Sequence, residues 1–111
     1  MSVFNWFAGL FTNRGRAMSH YRRGMAKAKK RNHQGAIDDY TKSIEIADAR
    51  ADVTAMALYN RALVYVAAGD DQKGVGDLDA LLAMEDAPVN VKTMAKQKLQ
   101  RMENRSRKSK V

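Results

Sequence analysis

A chain of 111 residues that is 45% hydrophobic reads as one domain, able to bury roughly two-thirds of its surface and too apolar to be disordered throughout. Having no cysteine excludes a disulfide framework, a thiolate metal site and a cysteine nucleophile, while a single proline and few β-branched runs favour helix over sheet. The net charge of +8 is unevenly placed, with eight Lys/Arg and no acid in residues 1–35, −7 in 36–88 and +7 in 89–111. That layout attracts an anionic partner at either end, or lets faces of opposite sign pair between neighbouring elements.

In chain order, Val3, Phe4, Trp6, Phe7, Leu10 and Phe11 give residues 1–12 a broad apolar face on a helix. So much aromatic surface needs a purpose. Three are open: docking on the rest of the fold, a peripheral membrane contact with nearby Arg14, Arg16, Arg22 and Arg23, or self-association. The stretch is too short to cross a bilayer and lacks a basic lead, so neither a signal peptide nor a span is expected. A cytoplasmic location follows by default, with peripheral membrane attachment as the variant.

Asn13-Arg14-Gly15-Arg16 reads as a hinge, which divides the chain into an N-terminal helix and hinge (1–16), a helical domain (17–103) and a basic disordered tail (104–111). In residues 17–31, Met18, Tyr21, Met25 and Ala28 form one stripe and Gly24 leaves a flat spot for close packing. Lys27, Lys29, Lys30 and Arg31 crowd the end of that helix, where its dipole favours cations. Asn32-His33 makes a turn, and residues 34–47 form the return helix.

Within that return helix, Ala36, Ile37, Tyr40, Ser43 and Ile44 share a face, with a small residue followed four places later by an aromatic. Asp48 to Asp52 is a polar connection, and Asp52 or Thr54 is expected to cap the next helix. That helix runs to about Ala68 and is apolar nearly all round, which marks burial between neighbours. Gly69 stops it, and Asp70 or Asp71 caps a helix carrying Val75, Leu78, Leu81, Leu82 and Met84. Pro88 opens a last helix with a single apolar stripe of Val91, Met94, Ala95, Leu99 and Met102.

Thirty-eight residues separate the two copies of the return helix, Gly35 to Ile46 and the weaker Gly74 to Leu82. Gly24, Ala36, Tyr40, Ile44 and Ile46 in the first copy, and Ala62, Tyr65, Gly69, Gly74, Leu78, Leu82 and Met84 in the second, resemble the tetratricopeptide repeat (TPR). The resemblance implies an all-α fold, a TPR-like right-handed stack of antiparallel helical hairpins (an α-α superhelix) closed by a capping helix. It departs from the family in having His20 where a large apolar residue is usual, Lys27 in place of an aromatic, and Pro88 two residues late.

The resemblance also implies a non-catalytic scaffold that binds a peptide or protein in its concave groove. That groove would show Tyr21, Arg22, Met25 and Lys29 from the first hairpin and Met56, Tyr59, Asn60 and Leu63 from the second. Asn60, with Arg22, Lys92 and Lys96, matches positions where some members grip a terminal carboxylate, so an acidic or free C-terminal partner is implied. Two hairpins are fewer than a stable stack usually needs, so pairing of two copies or support from the terminal helices is expected. A basic nucleic-acid or ribosome-associated protein, using Lys27 to Arg31 and the 105–110 tail, is the alternative, and a membrane adaptor anchored by residues 3–11 another.

Other chemistry is set aside. His20 and His33 have no metal-ligand partners at suitable spacing, so neither a metal nor another cofactor is expected. Asp38-Asp39 and Asp70-Asp71 are neighbours that do not face each other on a helix, and read as caps or solvated residues. Asp77 and Asp79 lack the rest of a calcium loop. Gly74-Val75-Gly76 lies inside a helix without the strand that a phosphate-cradling loop needs, and close helix contact is the expected compensation for both glycines.

Overall fold

The computed structural model describes residues 12–109, and among them every regular element is an α-helix. These are α1 (Asn13–Lys29), α2 (His33–Ile44), α3 (Ala51–Ala67), α4 (Asp71–Ala83) and α5 (Val89–Ser109). Phe4, Trp6, Phe7, Leu10 and Phe11 lie outside the described residues.

Three boundaries and one cap differ from the sequence reading. The expected hinge at Asn13 to Arg16 is the first turn of α1, because Thr12 is its N-cap and its Oγ1 accepts from the Gly15 N–H at 3.2 Å. The expected disordered tail is helical through Ser109. There Arg107 pairs with Glu103 one turn back at 2.6 Å, and Arg105 reaches Asp71 of α4 at 3.2 Å. The return helix ends at Ile44 rather than Ala47. Neither Asp52 nor Thr54 caps α3, whose N-cap is Arg50; Asp52 instead sits in the first turn, accepting from the Val53 N–H at 2.8 Å.

The two hairpins, α1–α2 and α3–α4, turn in the same way at a 38-residue offset. At the first turn the Asn32 N–H donates to Lys27 O at 2.9 Å and the Arg31 N–H to Ala28 O at 3.0 Å. At the second, the Asp70 N–H donates to Tyr65 O at 2.8 Å and the Gly69 N–H to Val66 O at 3.0 Å. Both are left-handed C-terminal stops, with φ of 60° at Arg31 and 91° at Gly69. Asn32 and Asp70 then cap the second helix of each hairpin by accepting from Gly35 N–H and Lys73 N–H.

α3 is the central helix and touches all four others. α1 and α5 pack on either side of it, whereas α2 and α4 do not meet. The helices therefore lie in two layers, α1/α3/α5 and α2/α4. The larger core joins Leu58 and Ala62 of α3 with Leu78 and Leu81 of α4 and Val91, Ala95 and Met102 of α5. A smaller one joins Ala36 and Tyr40 of α2 to Ala57 and Val64 of α3, and Ile44 packs against both. α5 thus supplies part of the core that two hairpins alone would leave uncovered.

α1 docks by small residues. Ala17 and Gly24 are its buried positions, while Met25 of the expected stripe is exposed and Met18 half-buried. The reason is Tyr40, which is 1% exposed and lies across Gly24 so closely that a Cβ there would sit 2.6 Å from its ring. Ser43 adds a buried bond from its Oγ to Ala17 O at 2.8 Å. Gly74 likewise takes Val66 against its backbone, with a Cβ position 2.7 Å from Val66 Cγ2, but Gly76 faces open space, so only one of the paired glycines is compensated by contact.

A polar clamp ties the layers. Arg61 of α3 donates through Nε and Nη2 to both carboxylate oxygens of Asp77 of α4, at 2.8 and 2.7 Å, and through Nη1 to Thr41 Oγ1 of α2 at 2.9 Å. The two ionic side chains are only 17% and 9% exposed. Asp77, which the sequence reading only excluded from a calcium loop, is a buried partner of Arg61.

The two helical glycines give opposite expectations for urea unfolding. Gly24→Ala should destabilise by about 1–3 kcal/mol through overpacking on Tyr40, whereas Gly76→Ala should stabilise by about 1 kcal/mol through helix propensity. Arg61→Ala should cost about 3–5 kcal/mol by leaving Asp77 buried and unpaired, and Arg61→Met with Asp77→Leu should recover most of that loss.

Candidate functional site

Where α1 lies beside α3, their side chains leave an open cleft of about 340 Å³. Met25, Ala28 and Lys29 line it from α1, Asn60, Leu63 and Val64 from α3, and Tyr40 of α2 from below. The helical spacing of 25, 28 and 29 and of 60, 63 and 64 accounts for both walls, since residues three and four apart share a face. The result is an apolar trough with one cation and one amide on its walls.

Of the predicted groove residues, Met25, Lys29, Asn60 and Leu63 are brought together here. Tyr21 adjoins them, its hydroxyl accepting from Asn60 Nδ2 at 3.2 Å, and its ring lies 6.1 Å from that of Tyr40. The others lie elsewhere. Arg22 lines a separate cleft of about 520 Å³ on the outer side of α1, with Gly15, Met18, Ser19, Arg23 and Ala26. Tyr59 is buried in the larger core and Met56 packs against it. Lys92 is half-buried and Lys96 exposed on α5, and no hydrogen bond or ion pair ties either of them to Asn60. The expected set of Asn60 with Arg22 is thus broken, because a step of one residue along α1 rotates Arg22 away from the wall that Tyr21 and Met25 present.

Tyr40 and Val64 belong to the cleft and were read only as core. Burial, with a smaller contribution from Tyr21 and against the hydrogen-bonding influence of Asn60, pushes the Tyr40 hydroxyl up from 10.0 to about 12.

Behind α1 lies a second charged cluster. Asp39, 3% exposed, holds Lys27 Nζ at 2.6 Å from Oδ2 and His20 Nδ1 at 3.3 Å from Oδ1. Burial pushes the Asp39 carboxyl up, but Lys27 and His20 together outweigh it and hold it below its ordinary value of 3.8. Asp39 and Asp77 stand 38 residues apart, at the same place in the two hairpins. Each is the buried acid by which a second helix holds basic side chains of the first. That recurrence was the signal in the sequence that could have separated them from solvated residues.

Among the described residues no group of three His, Cys, Asp or Glu side chains is placed to hold a metal ion. His20 bonds to Asp39 and to no hydroxyl nucleophile. No helix among these residues is long and apolar enough to cross a membrane. Comparison with protein-family models, with curated proteins and with solved structures found no match to this chain.

The direction of the Asp39 shift sets an acid dependence. With a folded-state pKa below the unfolded one, its contribution is full above about pH 4 and is lost as the pH falls through the folded value. Urea midpoints followed from pH 6 downward should fall in the wild type below about pH 4, and fall less steeply in Asp39→Asn.

Proposed function

We propose that this chain is a non-catalytic, tetratricopeptide-like binding module that holds an extended peptide segment of a partner protein in the trough between α1 and α3. One observation carries this reading: the first helices of both hairpins pack side by side and leave a trough whose floor is apolar and whose walls hold Lys29 and Asn60. The right-handed stack implied by the repeat resemblance gives such a trough a continuous path for a peptide backbone. α5, packed on the far side of α3, ends the stack.

The chemistry suits one apolar side chain and one acidic group. Met25, Leu63 and Val64 receive the former, with burial stabilising it by roughly 25 cal/mol per Å². Lys29 and Asn60 receive the latter through a charge-assisted hydrogen bond and an amide N–H. Tyr21 already occupies one Asn60 donor, which fixes the amide's orientation before a ligand arrives. Arg22, Lys92 and Lys96 have no part in this version of the site.

Panning a library of random decapeptides with free C-termini, followed by calorimetry on the enriched sequences, tests it. Enriched peptides should carry an acidic group beside an apolar residue. They should bind about tenfold or more weakly to Met25→Asp and to Lys29→Ala, whose exposed positions leave the fold intact. Failure to enrich any peptide, or affinities indifferent to both substitutions, would reject the trough as a binding site.

A further inference from the structure

The two basic ends of the chain are more than fifty residues apart in sequence, yet they flank one helix. α1 carries six Lys/Arg and no acid, and α5 seven against Glu103 alone, so each has a net +6. α3 between them is neutral, whereas α2 and α4 carry −1 and −2. Folding therefore gathers the positive charge into the α1/α3/α5 layer. Some of it is spent internally: Lys27 on Asp39, Arg61 on Asp77, Arg105 on Asp71 and Arg107 on Glu103. Arg22, Arg23, Lys29 and Lys30 of α1 and its end, and Lys96 and Arg101 of α5, are exposed and meet no carboxylate among the described residues.

We propose that the α1/α3/α5 layer is a nucleic-acid-binding surface that engages the phosphate backbone without sequence preference. Neighbouring packed helices lie about 8–10 Å apart, so the two cationic rims stand roughly 16–20 Å from each other across α3. α5 extends for about 30 Å. A partner that neutralises both rims must present negative charge densely over tens of ångströms, which a phosphate backbone does. Three of these six named cations are arginines, whose planar fork matches phosphate oxygens.

A membrane is the poorer fit. Among the described residues Met25 and Val89 are the exposed large apolar side chains, and an interfacial helix needs an apolar face as well as cations. Arg31 adds an independent observation. It occupies the left-handed stop at φ 60°, the position its counterpart in the second hairpin fills with Gly69. An exposed guanidinium thus stands at the tip of the α1–α2 turn where glycine would be easier on the backbone. This inference goes beyond the peptide trough and does not depend on it.

Fluorescence anisotropy with a labelled 20-nucleotide single-stranded RNA and a 20-base-pair DNA duplex tests it, at 50 to 200 mM KCl with the full chain. If four to six phosphates are neutralised, affinity for the single strand should fall roughly 50- to 300-fold across that range, irrespective of sequence. Arg22→Glu with Arg23→Glu, and separately Lys96→Glu with Arg101→Glu, should each weaken binding tenfold or more, because each removes one rim. Arg31→Gly should weaken binding while raising the melting temperature, a pairing that a purely structural role would not produce. Met25→Ala, which removes the trough's apolar contact without adding charge, should change nucleic-acid affinity less than threefold.

No binding to either probe at 50 mM KCl overturns the proposal. So does equal affinity for poly-L-glutamate, which would make the surface one for acidic proteins, and so does capture by phosphatidylserine vesicles in place of nucleic acid. Loss confined to the α1 variants would overturn the two-rim surface.

Discussion

The fold depends most on one buried guanidinium. Arg61 sits on the central helix and is bound at once to Asp77 of α4 and Thr41 of α2, so a single side chain joins both hairpins and both layers. Its charge is desolvated, and only the paired geometry on Asp77 makes that tolerable. The Tyr65 ring, 5.7 Å from the guanidinium carbon, adds a cation–π contact along the same flank. Apolar packing would hold α3 and α4 together in several registers. A two-oxygen pair admits few, and it sets where α4 lies along α3.

The same solution recurs in the first hairpin with different parts. Asp39 stands where Asp77 stands, but its partners are Lys27 and His20 rather than an arginine. Lys27 stands where Tyr65 stands 38 residues on, and His20 where Leu58 does. These two side chains are the ones that meet the buried Asp39 carboxylate. Beside this pair lies a close apolar seam, in which Tyr40 lies on the bare backbone of Gly24. That seam brings α1 close enough to α3 for Met25, Lys29, Asn60 and Leu63 to face one trough.

Charge separation follows from the same topology. Alternate helices go to alternate layers, so a sequence with basic ends and an acidic middle folds into one positive layer and one slightly negative layer. The neutral α3 lies between the positive rims and supplies the apolar wall of the trough. Peptide trough and phosphate surface therefore share a layer and, of their named residues, Lys29.

Much of this was legible in the chain itself. The 3.6-residue periodicity, the glycine and asparagine at the turns, and the 38-residue offset determined helices, hairpins, the Gly69 stop and the Asp70 cap, because these depend on neighbours in sequence. Of the ten groove residues that the repeat resemblance implied, Met25, Lys29, Asn60 and Leu63 line one cleft. Tertiary structure decided the rest. It buried Tyr59, turned Arg22 to the outer side of α1, and left Lys92 and Lys96 without a tie to Asn60. It also took Asp39 and Asp77 out of solvent and brought the two basic helices to either side of α3. The physical reason is that periodicity defines which residues share a face, but which face is covered, and by what, depends on groups tens of residues away.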